Sequence, residues 1–211
     1  MRHWNAFCYN YGTSPVMRTR AVATILSIAA TLIPSALPAD ISPDIASSWK
    51  HYRNKQWGYC INYPAHWFKG DAFEGSGIFI KARAKKHVRF LGEMDVSAIP
   101  DGPDNLNHPV PVRLTESLQT HLDGLRKFER AQQLEILEQR PIELHGTAAL
   151  FTKDRYFDPQ DGKRWIDEIV LVNRDQTLYT LELVCRSEQV AHFEPVFTQF
   201  VSTFQLDCRS H

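Results

Sequence analysis

Residues 147–185 read TAALFTKDRYFDPQDGKRWIDEIVLVNRDQTLYTLELVC, and the fold follows from how this stretch alternates. In its last run Tyr179, Leu181, Leu183 and Cys185 point one way, and Leu178, Thr180, Glu182 and Val184 point the other. That period of two defines a strand, and Thr147 to Phe157 and Arg164 to Asn173 read the same way. The turns between them are Asp158-Pro-Gln-Asp-Gly162 and Asn173-Arg-Asp-Gln176. Connections this short join antiparallel neighbours, because parallel strands need a long crossover.

Working toward the N-terminus, Gln133 to Gln139 is a further strand-like run, and the segment before it changes period. Leu114, Leu118, Leu122, Leu125 and Phe128 recur every three or four residues, the stripe of an amphipathic helix, with Thr115 as its expected N-cap. Ile99 to Val112, with four prolines and a glycine, reads as a loop. Glu93 to Ile99, Gly77 to Ala82 and Trp57 to Tyr63 are strands, the last ended by Pro64. Toward the C-terminus, Val190, Phe193, Val196, Phe197, Phe200 and Phe204 form a second helical stripe, with Pro195 expected in the first turn of its main body. The reading is α+β: a twisted antiparallel sheet flanked by helices.

The N-terminal segment has a different character. From Met17, Arg18 and Arg20 precede a mostly apolar run, Ala21 to Ile33, then Pro34 and small residues up to Ala39. This is the layout of a secretory signal peptide, with Met17 as the expected start and cleavage after Ala39. Thirteen helical residues reach about 20 Å, short of a hydrocarbon core of about 30 Å, so no transmembrane anchor is expected after cleavage. The expected organisation is an extension and signal over residues 1–39, a short leader over 40–48 and a single domain over 49–211. Residues 40–211 hold 21 basic and 24 acidic residues, a net charge of −3. That balance argues against gripping a nucleic-acid backbone. The expected location is periplasmic or secreted.

The opening Tyr52-x-x-x-x-Trp57-Gly-Tyr-Cys-Ile-Asn-Tyr-Pro64-x-x-Trp67 resembles the first strand of PsbP-like proteins. The close, Tyr179-Thr-Leu-Glu-Leu-Val-Cys185 followed by Phe193, Phe197, Phe200 and Ser202-Thr-Phe204, resembles that family's last strand and terminal helix. The resemblance covers roughly Trp49 to Leu206 and implies an α/β/α sandwich, often exported or lumenal. Its members mostly bind other proteins, and photosynthetic ones assist an oxygen-evolving complex. None of their functional residues maps onto a position here.

Few residues stand out chemically. Outside the N-terminal segment the cysteines are Cys60, Cys185 and Cys208, and an oxidising compartment favours one pair and one free thiol. The expected pair is Cys185–Cys208, across the last strand and helix, with Cys60 as a small buried hydrophobe. Cys60 and His66 flank a proline turn, but a thiol–imidazole pair is defined by geometry and not by spacing. The nine histidines show no zinc-site spacing, so surface or satisfied roles are expected. Asp158 to Gly162 lacks the alternate ligands of a calcium loop and reads as a hairpin turn. Glu74-Gly-Ser-Gly77 misplaces the glycine of a nucleophile elbow.

Lys81, Arg83 and Lys85 alternate with alanines, so a strand would present three cations on one face. Such a stripe serves either as a patch for an acidic partner or as a charged guard on a sheet edge. No catalytic, cofactor-binding or metal-binding residue is assigned and no cofactor is expected. The function expected is an exported non-catalytic binding or accessory protein whose partner is another envelope protein, the alternative being a periplasmic enzyme.

Overall fold

The computed structural model describes residues 48–72, 75–82, 92–101 and 108–208. The signal segment Met1 to Ala39, with Met17, lies outside them, as do Glu74, Arg83 and Lys85. Along the chain come β1 (Trp49–Asn54), β2 (Tyr59–Pro64), β3 (Phe68–Asp71), β4 (Gly77–Lys81), β5 (Gly92–Pro100) and α1 (Val110–Lys127). Then follow β6 (Gln132–Leu144), β7 (Thr147–Asp158), β8 (Lys163–Arg174), β9 (Thr177–Arg186), α2 (Val190–Ser202) and β10 (Gln205–Leu206). Seven strands form one sheet in the order β3-β4-β5-β9-β8-β7-β6, antiparallel throughout. A smaller sheet has the order β1-β2-β10.

The alternation read in residues 147–185 sorts the core into two clusters. Ile166, Val170, Val172, Tyr179, Leu181, Leu183 and Cys185 meet Phe193, Val196, Phe197 and Phe200 of α2, together with Tyr59 and Ile61 of β2. On the other face Trp165, Ile169, Leu171, Leu178 and Val184 meet Leu114, Leu118, Leu122 and Leu125 of α1. Both faces of β8 and β9 are therefore covered, while β6 lies at the sheet edge with most of its residues exposed. His145 and Gly146, at φ 51° and 80°, form the two-residue turn from β6 to β7, the left-handed geometry that matches strand twist.

Several expectations are corrected. The first helix begins at Val110, not after Thr115, whose hydroxyl donates back to the Pro111 carbonyl at 3.0 Å. Pro109 and Pro111 had marked a loop, yet a proline in the first helical turn loses only an N–H that has no helical partner anyway. The buried Arg113 then fixes the helix start: its Nη1 donates to Asp101 Oδ2 at 2.9 Å, and Asn173 Nδ2 donates to the same oxygen at 2.6 Å. Pro195 sits inside α2 as its sixth residue, where four buried phenylalanine and valine side chains hold the helix to the sheet.

The disulfide is also corrected. Cys208 bonds Cys60, with Cα atoms 5.9 Å apart, and Cys185 is a buried free thiol. Cys185 lies near the end of β9, and α2 then carries the chain about 20 Å back along the strand. It arrives beside the small sheet, where β10 pairs Gln205 with Cys60 of β2.

Candidate functional site

The largest concentration of unexplained chemistry lies beneath α1. Thr152, Asp154 and Tyr156 alternate onto that face of β7, Asp167 onto it from β8 and Glu182 from β9, and all five are buried. The register sets Asp154 opposite Asp167, Ile169 opposite Glu182, and Glu182 opposite Asp95 of β5. Four carboxyl groups thus run side by side across four neighbouring strands. Leucines of α1 cover the row, and His121, between Leu118 and Leu122, reaches into it with Nε2 2.9 Å from Asp167 Oδ2.

Burial decides the electrostatics. It pushes Asp154 up to about 8, with the Asp167 charge adding to the rise and His121 and Arg126 opposing it. It pushes Glu182 up to about 8 as well, again with Asp167 adding. Asp95 and Asp167 lie well above the usual carboxylate range, first through burial and then through neighbouring acids. Glu182 is within hydrogen-bond reach of both. Among the described residues no Lys or Arg makes an ion pair with any of the four. Both carboxylate oxygens of Asp154, Oδ1 of Asp167 and Oε1 of Glu182 are buried without a hydrogen-bond donor. Buried acids in such a setting must hold protons or a cation. His121, Asp167 and Glu182 each offer one ligand atom, all within 4.8 Å of one another.

The residues singled out from sequence lie elsewhere. Lys81 ends β4, where its Nζ pairs with Glu93 at 2.9 Å and stands over the Phe79 ring. It is engaged by its own fold, and the Arg83 and Lys85 part of the stripe falls outside the described residues. Burial pushes the Cys185 thiol far up, which suits an inert core residue. Cys60 is held in its disulfide, and His66 instead lies 3.4 Å from the Ser48 hydroxyl. Asp158 and Asp161 accept from the Gln160 and Lys163 amides at 2.7 and 2.9 Å, as a hairpin turn requires.

Sequence reading missed the acid row because its members occupy four strands and form no linear motif. The available signal was a lone acid within runs that alternate apolar residues on both faces: Asp154 between Thr152 and Tyr156, Asp167 between Trp165 and Ile169, and Glu182 between Thr180 and Val184.

No family model matches the chain, and no curated protein sequence matches it. Solved structures do. Cyanobacterial PsbP (CyanoP) from Synechocystis sp. PCC 6803 superposes with a TM-score of 0.53 at 14% identity, covering 76% of this chain and 94% of that one. A Pseudomonas aeruginosa protein of unknown function, PA94, described as a putative regulator, gives 0.48 at 17% identity over 77% of this chain and 99% of its own. LpqN, involved in cell envelope biogenesis of Mycobacterium tuberculosis, gives 0.47 at 12% identity over 75% and 90%. At 14% identity the CyanoP likeness is one of architecture, matching an antiparallel sheet with two helices: the chain has a PsbP-like fold.

Proposed function

We propose that this protein is exported and acts as a non-catalytic accessory or binding protein whose partner is another envelope protein, built as an α/β/α sandwich with α1 and α2 as outer layers. The observation that carries the binding reading is β6. This strand is 13 residues long, stands at the sheet edge and leaves Ile136 and Leu137 exposed. A long edge strand offers a row of backbone donors and acceptors that a partner strand can extend. Glu135, Glu138, Arg140 and Pro141 interrupt the edge, a pattern that deters indiscriminate pairing. The row of acids supports the same reading, since α1 covers it and leaves His121 partly exposed at its rim. The cavity of about 230 Å³ lined by Leu144, His145, Arg174 and Phe204 does not include it. Export is supported by the Met17 to Ala39 pattern and by the Cys60–Cys208 disulfide, which persists in an oxidising compartment.

The test places a photo-crosslinking amino acid at Leu137, or at Phe68 on the opposite sheet edge, in the protein expressed in its native envelope. One discrete adduct from position 137 and none from position 68 is expected. Absence of an adduct at 137, or equal yields from both edges, overturns the binding reading. N-terminal sequencing of the same material is expected to begin at Asp40, and a start within residues 1–39 overturns the cleavage assignment.

A further inference from the structure

We propose that His121, Asp167 and Glu182 form a buried site for one divalent cation of the zinc or manganese class, with Asp154 and Asp95 flanking it in the same row. The site goes beyond the binding reading above and needs no partner protein. It stands first on position: the β7–β8 register puts Asp154 opposite Asp167, on the face where His121 already meets Asp167 at 2.9 Å. An atom pair close enough to share a proton is also close enough to share a metal ion.

The second observation concerns unmet bonding capacity. Asp154 is fully buried, yet neither of its carboxylate oxygens has a donor, and Asp167 Oδ1 and Glu182 Oε1 have none outside the carboxyl groups of the row itself. Acids retained in a core for structure alone are ordinarily satisfied by backbone or side-chain donors. Here one ligand atom each of His121, Asp167 and Glu182 lies within 4.8 Å of the others, with no Lys or Arg in ion-pair contact among the described residues.

Donor type and spacing narrow the ion. One imidazole with carboxylates suits zinc and manganese better than the all-oxygen cages of calcium and magnesium. Ligand atoms on a four-coordinate ion with bonds of about 2.1 Å stand about 3.4 Å apart. The present ligand atoms of His121, Asp167 and Glu182 lie within 4.8 Å of one another, so small side-chain rotations close the site. Ionised Asp167 and Glu182 balance the two charges of the dication, and Arg126 lies near enough to act on the flanking Asp154 electrostatically. His121, with a fifth of its side chain exposed, marks the solvent-facing end through which an ion enters.

The test uses the full-length protein stripped with EDTA and titrated with zinc chloride or manganese chloride by calorimetry at pH 7.5. One saturable equivalent per chain is expected, together with a rise in Tm. Asp167→Asn and Glu182→Gln are each expected to weaken binding tenfold or more, whereas His192→Gln, at an exposed histidine of α2, leaves it unchanged. Cobalt(II) substitution is expected to give a d–d absorption band that Asp167→Asn diminishes. If a carboxylate variant fails to fold, His121→Gln at the solvent-facing end supplies the same comparison. Lack of saturable binding by the wild-type chain overturns the proposal. So does binding that survives these substitutions unchanged.

Discussion

Asp154 and Glu182 give the metal-free protein an unusual dependence on pH. An acid raised to about 8 in the folded chain, against about 4 when unfolded, keeps its proton through folding over that interval. Its contribution to stability is fully present below about pH 4 and is lost as pH rises through about 8. In EDTA, thermal unfolding followed by circular dichroism should therefore show Tm falling between pH 5 and pH 9. Asp154→Asn should flatten the decline; an unchanged slope counts against Asp154 as a source. On the opposite sheet face Lys153 lies between the buried Glu168 at 2.8 Å and Glu194 of α2 at 3.1 Å, tying helix to sheet. Lys153→Ala strands Glu168 and is expected to cost about 3 kcal/mol in urea denaturation. A loss within 0.5 kcal/mol would mean that Glu168 finds another donor.

Helices α1 and α2 do different work despite similar leucine and phenylalanine stripes. α2 closes an apolar face, whereas Leu118 and Leu122 of α1 hold His121 over the acids. Leu118→Ala should cost about 2–5 kcal/mol, read from the shift in urea midpoint, and a loss under 1 kcal/mol would contradict its buried position. Charged replacements at Ile136 and Leu137 on β6 should instead leave the midpoint nearly unchanged, because both side chains already face water. These elements were unequally legible. β7 and β9 follow from their period of two, and β8, buried at every position from Trp165 to Asn173, follows from the turns at Asp158 and Asn173 that bound it. β1 was not legible: Trp49 and Tyr52 are three apart and separated by Lys50 and His51, so no strand period shows. The sequence leaves the α1 boundary open because Pro109 and Pro111 signal a loop and a helix start equally well. The acid row was invisible for a further reason: its neighbours are set by strand register, which sequence spacing does not contain.

For the molecule as a whole, the Cys60–Cys208 bond spans 148 residues and ties the small sheet into a single circuit with the large one. In the chain-entropy model a loop of that length is worth about 5 kcal/mol. Non-reducing peptide mapping should link the Cys60 and Cys208 peptides and leave Cys185 unmodified by thiol reagents until the protein unfolds. Reduction should lower the urea midpoint without abolishing the fold, since two separate core clusters remain. A Cys185–Cys208 peptide would contradict the register of β10 against β2. The same bond also governs how the molecule bears force. Pulled from its two ends, the chain can peel Trp49–Asn54 from β2 but then meets a covalent stop at Cys60. The chain enclosed between them, about 500 Å when extended, stays out of the load path until the sulfurs are reduced.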